Sequence, residues 1–176
     1  MSYRHAVVLS TTSFFLGVLF ISFNVDYRLL YGEVTPEAFQ AGLQFYTTFY
    51  NAPVAVKTLL HSLIGIDIFA VVLKLNKWDE SALFFDGSSL VALMAGVVLY
   101  LSVVIPGVKT LMEPLAGETE AERVEVLRIV GAGNTMTIGC LLAVLAMQAG
   151  QEYARRYAVR ELARFKEAEM KANKTQ

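Results

Sequence analysis

The chain has 176 residues, of which 55% are hydrophobic, with a mean hydropathy of +0.49 and a formal net charge of −1. This apolar share is outside the usual range for a soluble domain of that length and points to an integral membrane protein. Two histidines, the single cysteine Cys140 and no pair of intramembrane acids leave nothing from which to assemble a metal centre, a disulfide framework or a catalytic constellation. No enzyme activity, cofactor or nucleic-acid partner is therefore expected.

Four windows reach the roughly 20 apolar residues that a bilayer requires, at 6–25, 54–73, 88–108 and 129–150. The expected fold is all-α, with a four-span membrane domain over 1–150 and a helical tail over 151–176. The first span carries Ser10, Thr11, Thr12, Ser13 and Gly17 on small, partly polar surfaces. It is too long for a signal-peptide core and SFNVDY has no small-x-small cleavage site, so it is expected to be retained.

The first long connection, 26–53, holds a helix of its own. Thr35 can cap it, Pro36 suits its first position and Glu37 favours its positive end. Phe39, Leu43, Tyr46 and Tyr50 share a face, with Phe45 and Phe49 beside it. Such an aromatic amphipathic helix is expected to lie along the bilayer interface. The second span follows, with Lys57 and His61 one turn apart and Asp67 in its middle. Lys57 is close enough to the span end to snorkel, and His61 reads as a hydrogen-bonded core residue.

Small residues allow helices to approach closely in lipid, and the third span offers Ser88, Ala92 and Gly96. The connection after it has Pro114 and Gly117 as breakers, then Thr119-x-x-Glu122, a capping-box pattern that starts the fourth helix before its apolar run. Glu118, Glu120, Glu122 and Glu125 there read as a solvated face. In the fourth span Gly131, Thr135, Gly139 and Ala143 recur at four-residue spacing, with Asn134 and Thr137 nearby. GAGN at 131–134 has no preceding strand and is not a dinucleotide loop. The tail pairs Glu152 with Arg156 and Glu167 with Lys171 at i,i+4, which favours continued helix.

Alternating four spans places Arg4, Lys74, Lys77 and the tail cations, among them Arg155, Arg156, Arg160 and Arg164, on one side. By the positive-inside rule both termini are expected to be cytoplasmic and the 26–53 connection luminal. Asp67 is then the principal puzzle, because a lone mid-span carboxylate costs a few kcal/mol on insertion scales and suggests a functional site. One reading makes it a neutral or paired acid held by serines of a neighbouring span. The other gives it a direct role, either in contacting partners or, in a small transporter or channel subunit, as a titrating group. A structural subunit of a lipid-modifying complex is a third possibility.

SFFLGVLFISFNVDYRLLYG, FYNAPVAVKTLLHSLIGI, KLNKWDESALFFDGSSL and LRIVGAGNTMTIGCLLAVLAMQAGQEYA, in that order, resemble the fungal packaging chaperones of the endoplasmic reticulum that serve amino acid permeases. The resemblance runs from the first span to the start of the tail. It implies a four-span chaperone of the endoplasmic reticulum membrane that prevents permease aggregation and links finished permeases to vesicle coat components. On that reading Ser10, Thr11, Thr12, Ser13, Asp67, Asn134 and Thr137 are candidate client contacts. Gly17, Gly96, Gly131 and Gly139 are candidate helix-packing positions, and Arg155, Arg156, Arg160 and Arg164 a candidate partner-binding surface, with membrane lipids as surroundings. KANKTQ carries Lys174 but alanine at 172, so residence in the endoplasmic reticulum is implied by the resemblance and not by a paired-lysine signal.

Overall fold

A computed structural model describes residues 3–75, 80–114 and 117–174. Lys77, invoked above for topology, and the last two residues of KANKTQ lie outside the described residues. The helices are α1 (Tyr3–Tyr31), α2 (Pro36–Tyr50), α3 (Val54–Leu75), α4 (Glu80–Leu99), α5 (Ile105–Met112) and α6 (Glu120–Lys174), with a π-helical turn at Tyr100–Val104 joining α4 to α5. Among the described residues four helical segments are long and apolar enough to cross a membrane: α1, α3, the combined run Leu83–Met112, and α6.

Local chemistry explains the boundaries. Thr35 Oγ1 accepts from Ala38 N–H at 3.2 Å and Pro36 occupies the first turn of α2. Gly117 turns the chain at φ +93°, a conformation costly for any residue with a Cβ. The capping box then forms: the Thr119 amide donates to Glu122 Oε2 at 2.7 Å, and the Glu122 amide donates to Thr119 Oγ1 at 3.3 Å. From there α6 runs unbroken into the tail, where Glu152 pairs with Arg155 and Arg156. The π turn precedes Pro106, whose missing N–H cannot join an α-helical ladder, and the Ile105 amide instead reaches Tyr100 O.

The four long segments form a ring in which each packs on its sequence neighbours and α6 closes back on α1. Among the described residues the backbone of α3 lies against α1 and α4, while only side chains such as Lys74 bridge it to α6. Two apolar cores lie one above the other. At the end where α2 lies, Leu29, Phe39, Tyr46, Val104, Leu111, Leu127 and Val130 come from α1, α2, the π turn, α5 and α6. At the end near the chain termini, Val8, Ala70, Val71, Leu93, Leu141 and Val144 come from α1, α3, α4 and α6. Thus α3 contributes to the terminal-end core and not to the other.

Its own burial pattern says the same, since the buried residues of α3 are Asp67, Ala70 and Val71, all in its second half. The first half of α3 diverges from the bundle. At the α2 end that place is partly taken by α2, which buries one face on the bundle and leaves Gln40, Gln44, Thr48 and Phe49 exposed on the other. Phe39, Gly42 and Tyr46 are buried against α1 and α6, because Gly42 leaves no side chain between α2 and Leu127 or Leu29.

Candidate functional site

Buried polar side chains occupy three levels of the bundle. At the α2 end, Asp26 is fully buried in α1, where Tyr46 donates to its Oδ1 at 2.5 Å and Asn134 to its Oδ2 at 3.1 Å. Asn134 also lies 2.8 Å from the Tyr46 hydroxyl, which closes the triangle. Burial first, and then the neighbouring Asp26, pushes the Tyr46 phenol above its ordinary pKa, so it stays a donor. Gly131 makes room for this arrangement: a Cβ there would sit 3.2 Å from the Cβ and Cγ of Asp26.

At the terminal end, Lys74 Nζ meets Asp86 Oδ1 at 2.7 Å with both side chains largely buried. Lys74 also donates to Gln148 and, at 2.8 Å, to Gln151. Gln148 donates to Asp86 at 3.1 Å and to Ser89 at 2.8 Å, and Gln151 donates to the second Asp86 oxygen at 2.8 Å. His5 of α1 lies 3.1 Å from Gln148 Oε1, so this cluster ties all four spanning segments together. From sequence, Lys74 serves only as a charge that marks one side of the membrane. The structure adds that Lys74 is largely buried as the partner of Asp86, since the end of α3 packs beside the start of α4.

Between these levels lies Asp67, fully buried, with Thr12 donating to its Oδ2 at 3.1 Å. The partner is thus a threonine of α1 and not a serine of a neighbouring span. The other oxygen, Oδ1, is also buried and has no hydrogen-bond partner among the described residues. Asp67 also lines a cavity of about 460 Å³. One wall is the diverging half of α3, with Val56, Leu60 and Ile64. Facing it are Phe15 and Leu19 of α1, Val97 and Tyr100 of the third segment, and Asn134, Thr137 and Leu141 of α6. Lys57, Tyr50 and Lys109 stand at the α2 end of the cleft. Lys57 donates to Tyr50 O at 2.6 Å, and Tyr50 donates to Glu113 at 2.6 Å. That acceptor raises the pKa of the half-buried Tyr50 phenol.

The structure brings together only part of the predicted set. Asp67, Asn134 and Thr137 line the cleft, Thr12 bonds Asp67 from α1, and Thr11 is buried with its hydroxyl donating to Val7 O at 2.8 Å. Ser10 and Ser13 are exposed on the outer face of α1. Gly96 packs on Thr137 and Cys140, as Gly131 does on Asp26, whereas Gly17 and Gly139 face open space. Gly107, against Val130, and Gly133, against Val103 and Val104, are close approaches that the four-residue spacing missed. His61 is exposed, with Nδ1 2.7 Å from Lys57 O, and is not a core residue. Arg155 and Arg156 pair with Glu152, Arg164 with Glu161, and Arg160 is exposed. Asp26 and Asp86 were missed, although an acid within a turn of each apolar window was the available signal.

Comparison with known proteins gives this arrangement a context. The family model described as "ER membrane protein SH3", that of the SHR3 chaperones, matches residues 1–176. The chain is also 26% identical over 182 residues to the "Secretory component protein psh3" of Schizosaccharomyces pombe, covering 96% of this chain and 83% of that protein. No solved structure matches. The chain belongs to the SHR3 chaperone family, and it is a multi-pass chaperone of the endoplasmic reticulum membrane.

Proposed function

We propose that this chaperone serves amino acid permeases, holding their newly inserted helices in the cleft beside α3 until the permease bundle closes, and then promoting their packaging into transport vesicles. The observation that carries this reading is the divergence of α3, which opens an apolar cleft at membrane depth with a carboxylate at its inner end. A polytopic client exposes polar groups before its helices pack, and each unsatisfied group costs several kcal/mol in hydrocarbon. A lateral cleft with apolar walls and a few polar groups can cover such a surface and release it, since contacts of this kind are individually weak.

In this reading both termini are cytoplasmic and the α2 end is luminal, in keeping with the basic tail. The tail helix projects from the bundle with Arg160 exposed and Arg155, Arg156 and Arg164 paired to acids of its own surface, offering a charged cytoplasmic rod to coat components. A proton-coupled transporter is less well supported, because packing by Val8, Val71, Leu141 and Val144 fills the bundle on the far side of Asp67.

The test uses fungal cells lacking this protein and follows permease aggregation and surface delivery, with an unrelated multispanning transporter as control. Permeases should aggregate in the endoplasmic reticulum while the control is delivered. Normal permease delivery would contradict the proposal.

A further inference from the structure

We propose that the cleft selects its client helices by a hydrogen-bond donor: the free Oδ1 of Asp67 pairs with a donating side chain carried on a client transmembrane helix. This rests on the reading of the cleft as the client site and specifies what that site recognises.

Three fully or nearly fully buried aspartates can be compared within the same bundle. Asp26 has both oxygens satisfied, one by Tyr46 and the other by Asn134. Asp86 likewise receives Lys74 and Gln148 on one oxygen and Gln151 on the other. Asp67 receives Thr12 on Oδ2 and nothing on Oδ1, and of the three it is the one that lines the cleft. Buried polar groups are ordinarily paired, so an orphaned oxygen at the wall of a binding cleft marks the position of a missing partner.

The chemistry of that partner follows from what the cleft already has. Thr137 donates its hydroxyl to Gly133 O at 2.8 Å and Ser22 to Val18 O at 3.4 Å, so both are turned back on their own helices. Asn134 is committed to Asp26 and Tyr46. Tyr46 donates to Asp26, Lys57 donates to Tyr50 O, and Tyr100 packs at the α2-end core, so among the described residues no wall side chain donates to Oδ1 of Asp67. Asp67 lies about 20 Å along α3 from Val54, a depth at which an acyl chain brings only methylenes. A protein helix can place a serine, threonine, asparagine, glutamine or lysine there, and the surrounding apolar walls suit the residues that flank it.

The test uses the full-length protein in phosphatidylcholine nanodiscs, on a Cys140→Ser background with an environment-sensitive fluorophore at Ile64→Cys. The probes are 21-residue leucine-rich transmembrane peptides carrying leucine, asparagine or lysine at one central position. Asparagine or lysine should strengthen binding by roughly 3- to 20-fold over leucine, the range of interhelical hydrogen bonds in membranes. Which of the two gains more identifies the donor as neutral or cationic. The gain should vanish in Asp67→Leu. Asp67→Asn, which keeps an acceptor and nearly the same shape, should retain the asparagine preference and lose the lysine preference, and it serves if Asp67→Leu does not fold. Equal binding of all three peptides, or a preference unchanged in Asp67→Leu, overturns the donor rule and leaves the cleft as a client site. Failure of every peptide to change the fluorescence at residue 64 overturns the cleft reading itself.

Discussion

Thr12 Oγ1 donates to Asp67 Oδ2 across the α1–α3 contact at 3.1 Å, at the level where α3 passes from packed to diverging. The bond marks the inner end of the cleft and joins the two helices whose separation defines it. It also explains why Asp67 is tolerated in a spanning helix: one oxygen is held by Thr12, and the other is buried in a residue that lines the cleft, where the proposed client donor would pair with it.

The cost of that tolerance is measurable. Thr12→Val removes the donor to Oδ2 and leaves the buried carboxylate without that hydrogen bond. It should destabilise the protein by about 1–3 kcal/mol in detergent unfolding. Ser13→Val, on the exposed face of the same helix, should change stability by less than about 0.5 kcal/mol.

The Asp26 triangle predicts an asymmetry between removal of its donors and removal of the acid. Tyr46→Phe keeps the ring in the α2-end core but leaves Asp26 Oδ1 unsatisfied, and should cost about 1–3 kcal/mol. Asp26→Asn preserves the shape and should cost less. Equal losses, read by thermal unfolding in detergent, would show that packing and not the hydrogen bond holds α2 to the bundle.

Lys74 and Asp86 should behave as a buried pair. Lys74→Met or Asp86→Leu alone should cost about 3–5 kcal/mol, because each leaves a charge without its partner. The double variant should recover much of that loss. Additive losses would mean that Gln148 and Gln151, rather than the ion pair, dominate the terminal-end cluster.

The glycines give a geometric prediction. Gly107→Ala would put a Cβ 2.5 Å from a Val130 methyl and should destabilise the protein clearly, as overpacked sites do, by about 1–3 kcal/mol. Gly17→Ala and Gly139→Ala meet open space and should be neutral or slightly stabilising through helix propensity. Circular-dichroism melts of the three variants check this directly.

Much of the frame was legible in the sequence. Apolar length located the spans, Thr35-Pro36 and the Thr119–Glu122 box located two helix starts, and Glu152 with Arg156 anticipated the tail helix. The small-residue series in α6 was only partly informative for a geometric reason. A strict four-residue step drifts by about 40° on a helix of 3.6 residues per turn, so Gly139 has rotated about 80° from Gly131 and no longer faces α1. Asp26 and Asp86 were missed because hydropathy windows end at charges, whereas Asp26 is hydrogen-bonded by Tyr46 and Asn134 and Asp86 is paired with Lys74, all from other helices. The divergence of α3 has no local signature at all. It follows from α2 and the π-turn segment occupying the α2-end core.

The central claim, that clients occupy the cleft beside α3, is tested most directly by site-specific photocrosslinking in cells during permease synthesis. A photoreactive residue at Leu60 or Ile64, on the cleft wall, should crosslink to nascent permease far more than one at Phe69 or Leu142 on the outer surface. Crosslinks that form equally well from the outer positions, or from those alone, would contradict the account.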